Sequence, residues 1–179
     1  MESAGLREPT VEVVTESLNC PVSVGGEDTE TGLTMKVRFD EYSCWRDEIA
    51  PLQAGQTFEV VFAARNMSSE QIDDWTLRVE LPDGVSLVPD SVLWGNARIP
   101  DGVRASNGAF TEAGGNFGSY SPGGSFYVMA TLIVGEATAL DCGEAQAMNL
   151  VGVVTTSTGE SDRAWVRAYV RMPCPASGG

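Results

Sequence analysis

The chain has 179 residues and is 42% hydrophobic, which suits one domain with tails or a single large sandwich burying about 70% of its unfolded surface. Its net charge of −14 and pI near 4.2 repel phosphate backbones and anionic lipid head groups, so nucleic acid and membrane surfaces are excluded as natural partners. Histidine is absent and Lys36 is the only lysine, so imidazole catalysis, imidazole metal ligation, Schiff-base chemistry and P-loop chemistry have little material.

Residues 1–32 form an acidic, Gly- and Glu-rich arm with one short strand candidate, Thr10 to Thr15. The opening run MESAGLREPTVEVV has no basic n-region and no apolar h-region, so a signal peptide is not expected there. No apolar run reaches the roughly 18 residues of a membrane helix. GGEDTETG at 25–32 reads as a flexible loop.

The sandwich domain is expected over 33–172. Leu33, Met35, Val37 and Phe39 alternate with Thr34, Lys36, Arg38 and Asp40, the period of a strand with one buried face. Phe58, Val60, Phe62 and Ala64 repeat that pattern, and so do Trp75, Leu77, Val79 and Leu81 opposite Thr76, Arg78 and Glu80. Pro82-Asp83-Gly84 is a turn, because Pro fixes φ and Gly accepts positive φ. Short strands follow at Val85–Val88 and Ser91–Trp94. Residues 95–124 are loop-rich, with room for one or two short strands. Long strands are expected at Ser125 to Val134, Ala147 to Thr158 and Asp162 to Arg171, ahead of a tail at 173–179. No segment of ten residues has a helical period, so the fold class is all-β: an immunoglobulin-like antiparallel β-sandwich of about seven to nine strands with an N-terminal arm.

Cys20, Cys44, Cys142 and Cys174 form no C-x-x-C pair, which argues against zinc. An even count in a strand-rich, extracellular-looking chain favours disulfides over buried thiols. Three connectivities are open.

Catalytic motifs are missing, and no cofactor or metal is expected. The adjacent pairs Asp40-Glu41, Asp47-Glu48 and Asp73-Asp74 are poor acid/base couples, since neighbours on a strand point to opposite faces. The last strand is more informative. Ala164, Val166, Ala168 and Val170 make a small apolar face, while Trp165, Arg167, Tyr169 and Arg171 make a face of residue types enriched at protein contacts. That second face is either covered by the arm or a loop, or offered to a partner. Trp165 and Trp94 are also candidate sugar-stacking rings. The strand at 125–134 is apolar on both sides, with Phe126, Val128, Ala130 and Leu132 opposite Tyr127, Met129, Thr131 and Ile133. It is therefore central under a covered exterior, or its Tyr127 and Met129 lie in an oligomer contact.

Four segments carry a family resemblance over about residues 33–171. They are Gly55-Gln56-Thr57-Phe58-Glu59-Val60 running to Arg65-Asn66; Leu81-Pro82-Asp83-Gly84-Val85; Gly118-Ser119-Tyr120-Ser121-Pro122-Gly123-Gly124; and Asn149 to Val153 followed by Asp162-Arg163-Ala164-Trp165-Val166. In order and spacing the chain resembles the bacterial surface "conserved repeat" domain, a family of unknown function. The resemblance implies an immunoglobulin-type sandwich from a surface or secreted protein, with no catalytic residues to carry over. The chain departs from the pattern at Val151, where the family usually has Ala, and no cell-wall anchor is expected from it.

Together these features lead us to expect a non-enzymatic structural protein of an extracellular particle, foremost a bacteriophage capsid-decoration or head-fibre protein at the virion surface. Its partners would be capsid or other virion proteins, or sister subunits. The alternatives are a secreted or cell-surface adhesin module and a glycan-binding module.

Overall fold

The computed structural model describes residues 10–11, 22–23, 31–135, 145–159 and 161–171. Thirteen strands run along the chain: β1 (Thr10–Val11), β2 (Val22–Ser23), β3 (Thr34–Arg38), β4 (Glu48–Leu52), β5 (Thr57–Arg65), β6 (Thr76–Glu80), β7 (Val85–Leu87), β8 (Leu93–Asn96), β9 (Val103–Arg104), β10 (Gly115–Asn116), β11 (Ser125–Val134), β12 (Ala145–Thr155) and β13 (Ser161–Arg171). One turn of 3-10 helix, Asn107–Phe110, interrupts them.

Eleven of these strands build two sheets. The first has the order β3-β5-β11-β8-β9, with β7 also paired to β11; the second runs β10-β6-β12-β13-β4. The expected immunoglobulin-like β-sandwich is the observed fold. Its eleven strands exceed seven to nine because β9 and β10 are two-residue pieces within the loop-rich stretch and β4 was not anticipated. β1 and β2 pair separately, and β1 lies beside β11. Apart from β1 and β2, the arm before residue 31 is outside the described residues, as are most of the Thr10 to Thr15 strand candidate and the tail at 173–179.

The core follows from the alternation. Phe58, Val60, Phe62 and Ala64 of β5 and Phe126, Val128, Ala130 and Leu132 of β11 turn inward from the first sheet, all buried. They meet Leu77 and Val79 of β6, Leu150 and Val154 of β12, and Val166, Ala168 and Val170 of β13. Each large apolar side chain so buried contributes about 1.5–3 kcal/mol relative to exposure. Gly152 of β12 faces this core, and a Cβ there would overlap the Phe62 ring.

β4 pairs with β13 in parallel at the edge of the second sheet. Pro51 lacks an amide and so fits an edge. The register places Ala168 opposite Ile49 but Val170 opposite Leu52, so β4 carries one extra residue at Ala50-Pro51. The Ala50–Pro51 peptide is cis.

β11 is apolar on both faces because its exterior is covered. Val61, Ala63 and Tyr127 form a second buried cluster with Trp45 and Met129 packed on it. The segment after β3 turns back, bridging Val37 to Arg46, and lays the Trp45 ring 4.2 Å from the Arg38 guanidinium carbon. Arg38, expected on a solvated face, is therefore only 1% exposed. Its Nη2 donates to Glu59 Oε1 at 3.0 Å, while its Nε and Nη1 and the Trp45 indole N–H have no hydrogen-bond partner among the described residues.

Candidate functional site

The acidic pairs are spread over turns and serve local structure. Asp40 Oδ1 accepts from the Tyr42 amide and the Ser43 hydroxyl, Asp73 Oδ1 from Gln71, and Asp74 Oδ1 from Asn116. Asp47 pairs with Lys36. No group of three His, Cys, Asp or Glu side chains that could hold a metal ion is found among the described residues. Cys44 is disulfide-bonded. Cys20, Cys142 and Cys174 lie outside the described residues.

The outer face of the second sheet is laid out in rows by strand register. Glu80, Val151 and Trp165 lie across β6, β12 and β13; so do Arg78, Val153 and Arg163. Asn149, Arg167 and Glu48 form a third row across β12, β13 and β4. Trp165 is 56% exposed, an unusual position for a tryptophan in the middle of a regular strand. The Arg167 guanidinium carbon sits 5.0 Å from the Trp165 ring centre, and its Nη1 donates to the Tyr169 hydroxyl at 3.4 Å. The hydrogen bond to Tyr169 raises the Arg167 pKa, with Glu48 adding a smaller effect. Arg78 and Glu80 approach to 3.9 Å. Trp165, Arg167 and Tyr169 thus share one surface that the described residues leave at least partly open. The side chain of Arg171 lies outside the described residues.

Tyr127 and Met129 lie elsewhere, on the outer side of the first sheet. Tyr127 is 1% exposed and donates to the Pro100 carbonyl at 3.0 Å. Gly95 and Gly102 make room for it, since a Cβ at either would come within 2.6 to 2.8 Å of its hydroxyl. This chain covers Tyr127 itself, so the residue offers no outward contact; Met129 is half-buried against the same cluster. The chain's own segments cover Tyr127, while Met129 keeps part of its surface open.

A second surface feature is a cleft of about 410 Å³ lined by Trp94, Asn96, Arg98, Phe117, Tyr120 and the 118–125 segment. Its aromatic wall continues the core. Trp94 meets Phe117 edge-on at 5.5 Å, and Phe117 and Tyr120 each stack on Phe126, at 5.6 and 5.3 Å. The Tyr120 hydroxyl donates to the Phe117 carbonyl at 2.5 Å and accepts from Asn96 at 3.3 Å. Burial raises the Tyr120 pKa, against the smaller opposite effect of the Asn96 bond. Sequence reasoning singled out Trp94 but missed the cleft, whose two walls lie about twenty residues apart in a Gly- and Ser-rich stretch.

No family model matches the chain, and no curated protein matches it. Solved structures match it in fold. BcpA, the major pilin subunit of Bacillus cereus, superposes with a TM-score of 0.50 at 8% identity, over 79% of this chain and 40% of that one. A protein from Corynebacterium diphtheriae described as membrane anchored gives 0.51 at 12% identity, over 89% of this chain and 41% of that one. The collagen binding domain of the Erysipelothrix rhusiopathiae surface protein RspB fits more loosely, at 0.43 and 10% identity over 81% and 46%. The chain therefore spans less than half the length of these proteins, and at such identities the likeness is one of fold.

Proposed function

We propose that this domain is a non-catalytic interaction module of a bacterial cell surface that assembles with sister copies through the outer face of its second sheet. The observation that carries the reading is Trp165, 56% exposed on β13 with Arg167 against its ring. An exposed aromatic-arginine pair on a rigid sheet is the composition of a protein contact. Arg78, Arg163 and Arg167 give this face a positive balance over Glu48 and Glu80, while the chain as a whole carries −14. The rest of the molecule is thus its electrostatic complement, and contact between this face and a different surface of the next copy follows. The fold shared with BcpA and the Corynebacterium diphtheriae protein supports a surface setting, as does the resemblance to the conserved-repeat domain. A virion location has no observation of its own in its favour.

A photo-crosslinking amino acid in place of Trp165 tests the contact. It is expected to capture a second copy, with mass spectrometry mapping the joint to an acidic surface. Capture of solvent alone at high protein concentration contradicts the assembly role. Antibody labelling of intact source cells tests the setting, and labelling of purified phage particles instead of cells would restore the virion reading.

A further inference from the structure

We propose that the cleft at Trp94 and Tyr120 binds a saccharide unit carrying a carboxylate, such as a uronic acid. This site lies apart from the face of β13 and does not depend on it. The cleft's volume falls in the roughly 300–1,000 Å³ range of small-molecule sites. Trp94 and Tyr120 are half-buried, held in place by the aromatic chain behind them, so each presents part of a fixed ring. Fixed rings suit the C–H face of a pyranose, and they lose little conformational entropy on binding. Polar side chains share the lining with the rings. Ser121 and Ser125 make no side-chain hydrogen bond to the other described residues, so both hydroxyls are available to sugar hydroxyls. This pairing of ring faces with short hydroxyl groups fits a sugar better than a lipid or a purely apolar ligand.

Arg98 sets the charge class. It is the one charged residue lining the cleft among the described residues, so no carboxylate stands among the cleft's described lining. It is exposed, and its guanidinium takes no partner among the described residues. Its position is fixed from behind, because Asn96 Oδ1 accepts from the Arg98 amide at 2.9 Å and the Ile99 amide at 3.3 Å. In a chain of charge −14, an arginine with no ion-pair partner among the described residues, beside two aromatic rings, is a local inversion of sign. A planar fork of donors binds a carboxylate in two parallel hydrogen bonds.

The test is titration of the purified domain with glucuronic acid, glucose and a short acidic peptide, followed by the Trp94 indole and the 117–125 amide signals in NMR. Glucuronic acid is expected to shift these signals with a millimolar Kd, and glucose to bind about tenfold more weakly. Arg98→Gln should bring glucuronic acid down to the level of glucose. Ser121→Trp, at an exposed position, should block both sugars without lowering the melting temperature. Trp165→Ala with Tyr169→Ala should leave sugar binding unchanged, which separates this site from the assembly face. A uronate oligosaccharide that binds more tightly than the monosaccharide places the site on a polymer; equal affinity places it on a single terminal unit. The proposal is overturned if neither sugar shifts Trp94, if glucose matches glucuronic acid, or if the acidic peptide shifts the same signals more strongly than either sugar.

Discussion

Asn66 shows how one side chain ties the cleft wall to the sandwich. It is 1% exposed at the end of β5, and its amide group donates to the Glu70 carbonyl at 2.8 Å and the Tyr120 carbonyl at 2.7 Å. Its Oδ1 accepts from the Ser68 amide and hydroxyl at 2.9 and 2.7 Å. Every hydrogen-bonding position of the side chain is therefore used. Asn66→Ala takes one of two donors from each of the Glu70 and Tyr120 carbonyls and removes the acceptor of the Ser68 amide, and about 2–3 kcal/mol of stability should be lost in urea denaturation. A loss under about 0.5 kcal/mol, the usual size of a neutral surface change, would show that water replaces the side chain freely. In the sequence, this asparagine stands at the end of a strand through the resemblance to the conserved-repeat domain, whose opening strand ends in Asn. Its four partners are not legible, since Tyr120 lies 54 positions away. Arg38 was misread for a related reason. Alternation placed it outward correctly, but the return of Trp45 that buries it depends on a loop of no regular period.

Among the elements, the long central strands were legible and the edges were not. β11 agrees with the expected Ser125–Val134 because ten residues of apolar and β-branched character leave one solution. β4 escaped notice because Pro51 demotes any strand reading and the bulge there breaks the period: Ile49 and Leu52 are buried, with two exposed residues between them. β12 contains a position whose importance is plain only in three dimensions. Gly152 looks like a flaw in a strand, yet it is where the Phe62 ring crosses from the opposite sheet. Gly152→Ala overpacks this contact and should cost about 1–3 kcal/mol. Adding Phe62→Leu should recover part of the loss, so a double-mutant cycle reads a coupling energy. Strictly additive effects would mean that the ring and the glycine are not the source of the penalty.

At the scale of the whole molecule, stability and the proposed assembly call on different groups. Burial raises the pKa of Tyr120 and Tyr127, and the charge of Asp101 raises that of Tyr127 further. Unfolded tyrosine titrates near about 10, so between that value and the higher folded values the unfolded chain releases the proton first. The tyrosine contribution is thus intact below about pH 10 and is lost as pH rises through the folded values. Denaturation midpoints should fall above about pH 10, and Tyr127→Phe should flatten the fall while removing the bond to Pro100, worth about 1 kcal/mol at neutral pH. An unchanged slope in that variant would place the alkaline loss on other groups. The proposed assembly, by contrast, would rest on the face of β13, where Trp165 is 56% exposed and Arg167 and Tyr169 are half-buried. The most direct measurement is sedimentation velocity across a concentration series, comparing the parent domain with Trp165→Ala, Tyr169→Ala. We predict reversible association of the parent that weakens with added salt, and a double variant that stays monomeric with an unchanged melting temperature. A parent that remains monomeric throughout, or a double variant that associates just as well, would contradict the account.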